Sequence, residues 1–238
     1  MATLSASSLA AENIAPTAWN TSAELGAIAT SGNTEGASLT GKIDARQESE
    51  NWTNQYILTG YFKEDKRKSA NGESKRVRSA QRVSASAKAA YKMMKDGKKL
   101  FVLGSHVKDR FGAYTEYNSL AIGHSTRMFK EQDNVIELEV GPGYSSGTRA
   151  AGTTESGFTI RGAAALRWRL SPSAMFTHTS SVERGTSNVH SSAEASLSTK
   201  INGTMQMKAS VVARNDTNVP KGKENTDTQT SVTLVYSF

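Results

Sequence analysis

The last twelve residues, Asp227 to Phe238, read D-T-Q-T-S-V-T-L-V-Y-S-F. Thr228, Thr230, Val232, Leu234, Tyr236 and Phe238 fall at two-residue steps, with Asp227, Gln229, Ser231, Thr233 and Ser237 between them. A period of two is that of a strand, whose successive side chains point to opposite faces. Chain ends are ordinarily frayed and polar, so ending on Phe, with Tyr and Leu on the same face, calls for a cause. A transmembrane barrel supplies one: its last strand must pair with its first to close the sheet, and its outward residues meet lipid.

Working outward, the composition agrees. Hydrophobic residues make up only 37% of the 238, which suits a barrel with a polar interior, where only alternate residues face lipid. No run approaches 18 apolar residues, so a transmembrane helix is excluded. The chain has no Cys, which removes disulfides, thiolate metal sites and Cys nucleophiles. Met1 to Asn13 lacks the basic residues and apolar core of a secretory signal. The expectation is that an export signal has been removed or replaced by Met1. Residues 1–18 are then a flexible leader and 19–238 the barrel.

Upstream of the final strand, period-two alternation recurs in eleven runs: 19–30, 37–46, 53–62, 76–92, 99–108, 119–129, 135–144, 157–170, 174–182, 188–201 and 204–214. The run 76–92 is rich in Ala and suits a helix by propensity. Its spacing decides otherwise, because Arg78, Arg82, Lys88 and Lys92 share one parity and Val77, Val83 and Tyr91 the other. Asp96-Gly97, Ser171-Pro172 and Asn202-Gly203 mark tight turns after even-numbered runs. Stretches 63–75, 145–156 and 215–225 read as long polar loops after odd-numbered ones. Short turns on one side and long loops on the other are what an outer-membrane barrel shows. The predicted fold is a twelve-stranded antiparallel transmembrane β-barrel.

Parity also sorts the charges. Lys42, Arg46, Arg78, Arg82, Lys88, Lys92, Arg161, Arg167, Arg169, Lys200, Lys208 and Arg214 face the interior, against Glu24, Asp44, Glu137, Glu139 and Glu194. A charge on the lipid face near the midplane costs about 2–4 kcal/mol, so the interior is favoured. The expected pore lining is Lys42, Arg46, Arg78, Arg82, Lys88, Glu137, Glu139, Arg161, Arg167, Arg169, Lys208 and Arg214. Such a lumen is net positive and selects anions, unless its charges pair and plug it.

Several short motifs resemble a known family, the YdiY-like salt-induced outer-membrane proteins, a domain of unknown function. They are Glu24-Leu25-Gly26 followed by Ser31-Gly32-Asn33-Thr34, Trp52-Thr53-Asn54, Gly141-Pro142-Gly143-Tyr144, and Asp227-Thr228 with Leu234, Tyr236 and Phe238. The resemblance spans Trp19 to Phe238 and implies an outer-membrane barrel; it supplies no catalytic residue, substrate or settled activity. Leu234, Tyr236 and Phe238 also resemble the signal read by bacterial barrel-assembly machinery.

Other chemistries find less support. Gly143-Tyr144-Ser145-Ser146-Gly147 matches G-x-S-x-G, but a nucleophile elbow needs strand, turn and helix. His178 and Ser180 share a face and leave an outer-membrane hydrolase as a third reading, after a pore and a non-conducting envelope barrel. The four His are scattered, so no metal or other cofactor is expected. The basic residues are spread over many strands, which argues against nucleic acid. The cluster Lys63 to Lys75 suits lipopolysaccharide phosphates, and Trp19, Trp52, Tyr56, Phe129, Trp168, Tyr236 and Phe238 suit an interfacial aromatic girdle.

Overall fold

A computed structural model describes residues 18–30, 36–68, 74–93, 97–131, 134–219, 222 and 224–238. The expectations for an export signal and for residues 1–17 lie outside these. Twelve strands follow in order: β1 (Ala18–Thr30), β2 (Gly36–Glu48), β3 (Trp52–Lys68), β4 (Ser74–Lys92), β5 (Lys98–Asp109) and β6 (Tyr114–Glu131). They continue as β7 (Asn134–Arg149), β8 (Thr154–Arg169), β9 (Ala174–Arg184), β10 (Val189–Lys200), β11 (Met205–Asp216) and β12 (Thr226–Ser237). Each pairs antiparallel with its sequence neighbours, and β12 pairs with β1, so the sheet is a closed barrel. Closure leaves no edge strand, the condition for a sheet to cross hydrocarbon.

The two faces are inverted relative to a water-soluble protein. Phe158 is 82% exposed, Ile160 66% and Leu25 64% on the outside, whereas the buried polar groups include Ser125, Thr159, Glu183, Lys208, Ser231 and Thr233. An apolar exterior around a polar interior is stable only when the exterior meets lipid. At the end where β1 begins and β12 stops, outward rings pair: Trp19 with Tyr56 at 6.4 Å, Trp52 with Tyr91 at 5.3 Å, Phe129 with Trp168 at 6.1 Å and Tyr236 with Phe238 at 5.8 Å. These form a girdle at one rim.

Two expectations are corrected. The stretches 63–75 and 145–156 are not long loops: β3 continues to Lys68, β4 starts at Ser74, β7 continues to Arg149 and β8 starts at Thr154. A hairpin paired through its backbone persists above the membrane with polar residues on both faces, so apolar alternation stops before the strand does. The two ends consequently differ chiefly in strand overhang; of the three stretches expected to be long loops, 215–225 keeps that character, as the nine-residue connection 217–225 between β11 and β12. Connections 110–113, 150–153 and 185–188 are about as short as 49–51, 170–173 and 201–204.

The seam is the thinnest junction. Ser22 to Leu25 pair with Ser237 to Leu234, and Thr21 and Phe238 exchange backbone bonds at 3.1 and 2.9 Å. Beyond them Gly26 lies against β12, where a Cβ would stand 2.5 Å from the Val232 carbonyl oxygen and 2.8 Å from Thr233 Cγ2. Only glycine permits that approach.

Candidate functional site: the barrel lumen

Strand pairing turns the inward parity of the sequence into a lined interior. Near the β1 side, Lys208 Nζ on β11 reaches Glu24 at 3.2 Å and Glu194 at 2.9 Å, and Lys42 lies 3.8 Å from Glu24. One rung away, Arg46 donates to Asp44 at 3.2 Å, and Gln55 donates to the same carboxylate at 3.0 Å.

On the opposite wall Phe101 is buried, and a Cβ at Gly123 would meet Phe101 Cζ at 2.8 Å. The missing side chain lets the ring lie on β6, and Lys88 Nζ stands 5.0 Å over its centroid while forming an ion pair with Glu139. Glu137 accepts from Ser125 at 2.5 Å and lies 3.6 Å from Lys99. Toward the overhanging end Arg82 donates to Asp109 at 2.9 Å. Arg214 faces Asp227 in the β11–β12 register and donates to Gln229 at 3.4 Å.

Arg161 faces Glu183 across β8 and β9, but Glu183 accepts the Tyr117 hydroxyl at 2.5 Å and forms no ion pair within 4 Å among the described residues. Arg167 keeps inward parity opposite Thr177 near the girdle rim, where it is exposed. Arg169 ends β8 at that rim, exposed, and its backbone N–H donates to Asn134 at 2.7 Å.

Arg78 departs from its expected place. A register shift between Lys63 and Glu64 leaves Ser79 unpaired, so Arg78 aligns with Glu64 rather than on the rung sequence parity requires. It donates to Glu64 at 3.5 Å and to Gln81 at 3.1 Å, on the outer side of the overhang. The extra residue of a β-bulge flips every later side chain to the other face.

The overhanging mouth was missed by parity reading, because its residues lie past the point where apolar alternation ends. Asp109, Glu183 and Asp216 each stand just beyond a run that sequence patterning recognised. There His190 Nδ1 lies 3.0 Å from Asp216, Asn188 donates to Asp216 at 2.7 Å, and the Tyr117 and His190 rings are 5.6 Å apart. Arg149 donates to Glu155 at 2.8 and 3.0 Å, joined by Tyr114 at 3.2 Å and Ser187 at 3.1 Å. The Arg149 hydrogen bond holds the Glu155 carboxyl below the usual carboxylate range at this solvent-facing tip. The added carboxylates bring the lumen closer to neutral than the expected lining.

Ser145 sits inside β7, paired with Gly157, so G-x-S-x-G here is strand and no elbow. Among the described residues no three His, Cys, Asp or Glu gather as metal ligands.

A closed antiparallel barrel with an apolar girdled exterior and a charged interior is a transmembrane β-barrel of the outer-membrane type. Its fold is similar to the NanC porin (TM-score 0.51, 7% identity, 92% of this chain and 98% of that one). It is also similar to an outer-membrane channel from Pseudomonas putida F1 (TM-score 0.54, 9% identity, 99% and 100%). Within that class the chain belongs to the family described as protein of unknown function, DUF481, which matches residues 23–238. It is 28% identical over 216 residues to the uncharacterized protein YdiY of Escherichia coli K12, covering 90% of this chain and 81% of that one.

Proposed function

We propose that the protein is a narrow channel of the bacterial outer membrane that passes small solutes and prefers anions. One imbalance carries the reading. The lumen carboxylates Glu24, Asp44, Asp109, Glu137, Glu139 and Glu194 each have a cation within 4 Å. Arg127, Arg161, Arg167 and Arg214 have no carboxylate that close among the described residues, and Glu183 and Asp227, which face Arg161 and Arg214 in the register, have no Lys or Arg that close. Paired carboxylates offset their partners and these two offset part of the remainder, so a smaller excess of guanidinium charge is left to set the field a permeant ion meets. The likeness to a porin and an outer-membrane channel supports the same reading.

A second reading, a non-conducting envelope barrel, is favoured by contacts that bridge strands three apart: Lys88 with Glu139, and Tyr117 with Glu183. Planar-bilayer recordings under a salt gradient test the two. An anion-selective reversal potential is expected; absence of current favours the closed barrel, and cation selectivity overturns the proposal. The exposed cations Arg76 and Arg78 on the outer side of the overhang suit lipopolysaccharide phosphates, and Leu234, Tyr236 and Phe238 suit recognition by assembly machinery.

A further inference from the structure

We propose that the overhanging mouth carries an inhibitory clasp, in which Asn218, just past the end of β11, bridges to Arg149 on β7 and holds the hairpin tips between them inclined over the lumen. The inference rests on the channel reading and adds a gate to it.

In the closed sheet β8, β9 and β10 stand between β7 and β11. With a strand spacing of about 4.8 Å and a tilt of about 40°, strands four steps apart in a ring of twelve lie about 20 Å from each other. Arg149 Nη1 nevertheless donates to Asn218 Oδ1 at 3.4 Å. Arg149 keeps the inward parity of β7, and the straight path from β7 to β11 crosses the lumen, so the bridge leans over it.

Both ends are held. Arg149 donates to Glu155 at 2.8 and 3.0 Å and lies over the Tyr114 ring at 5.3 Å. The Asn218 backbone N–H donates to Asn188 Oδ1 at 2.9 Å, and its side-chain amide donates to the Ser187 carbonyl at 3.1 Å. The Ser187 hydroxyl donates to Glu155 at 3.1 Å, which closes a circuit of four residues from three hairpin ends. Thr217 secures the start of the connection: its N–H donates to the Val189 carbonyl at 3.2 Å and its hydroxyl accepts the Val189 N–H at 2.9 Å. The cavity lined by Tyr114, Tyr117, Glu155, Asn188 and His190 is only about 50 Å³, room for a few waters. The Asn218 bonds are exposed, and exposed bonds exchange readily with water, so the clasp opens without unfolding the barrel.

Bilayer recordings and hydrogen exchange on the full chain test this. Asn218→Ala removes the side chain that carries the bridge without altering charge, and single-channel conductance is expected to rise by about 2-fold or more. Protection from exchange, taken relative to intrinsic rates, is expected to fall together at residues 149–155 and 185–188. Asn51→Ala, which removes the same side chain from an exposed turn at the girdle rim, leaves both unchanged. Heat-modifiable gel migration confirms that each variant is a barrel. Unchanged protection in Asn218→Ala, or an equal effect in Asn51→Ala, overturns the clasp. Current that Asn218→Ala leaves at the wild-type level sinks the gate alone; silence of both proteins in the bilayer sinks the channel reading and the gate with it.

Discussion

At the residue scale, glycines and one bulge set where the lumen side chains stand. A Cβ at Gly141 would collide with the Ile122 carbonyl and stand 2.5 Å from Gly123 Cα. The Gly141→Ala variant is expected to cost about 1–3 kcal/mol through overpacking between β6 and β7. The measurement is the shift of the unfolding midpoint in vesicles, and an unchanged midpoint would show that the strands part without penalty. Ser79 acts through register instead. Deleting it removes the bulge and leaves Arg78 next to Ala80, still opposite Glu64. The deletion variant is expected to keep the Arg78–Glu64 contact, and a Cys placed at position 78 in that background should react with a thiol reagent from the outer side. Reaction only from the lumen would refute this. Neither glycine contact nor bulge was legible in the chain, because alternation in 76–92 continues unbroken through Ser79.

At the element scale the seam and the overhang are the parts open to test. Phe238 contributes one of the reciprocal backbone bonds that join the ends, and its ring packs on Tyr236 at 5.8 Å. Removing Phe238 is expected to lower the yield of heat-modifiable barrel in the outer-membrane fraction several-fold. Phe238→Tyr should keep it, and equal yields for deletion and wild type would dismiss the assembly signal. At the mouth, the Glu155 carboxyl is held low by Arg149. A carboxyl lowered by folding contributes stability that is present above its ordinary value, about 4.3, and is lost as pH falls below it. Protection from hydrogen exchange at residues 185–188, which Ser187 ties to Glu155, taken relative to the intrinsic exchange rate at each pH, is therefore expected to fall on acidification in wild type. In Glu155→Gln that protection should be low at every pH, and a pH-independent wild-type protection would contradict it.

At the scale of the whole molecule, the balance of charge decides selectivity. Acidification neutralises lumen carboxylates and leaves the arginines charged, so the anion preference of the channel should rise as pH falls. A reversal potential that moves toward cations under acid would contradict it. The sequence by itself determined the architecture: twelve runs of period two, an even count and a terminal aromatic strand admit one economical solution, since alternation records directly which side chain meets which solvent. Which residues from Lys42 to Arg214 share the inward parity of their strands was legible for the same reason, Arg78 excepted. Only the tertiary structure decided which charges meet. Lys88 and Glu139 are far apart in the chain, and Asp109, Glu183 and Asp216 lie just past the runs in which apolar alternation is legible. Pairing across a lumen depends on closure and register, and those are properties of the ring rather than of any strand in it.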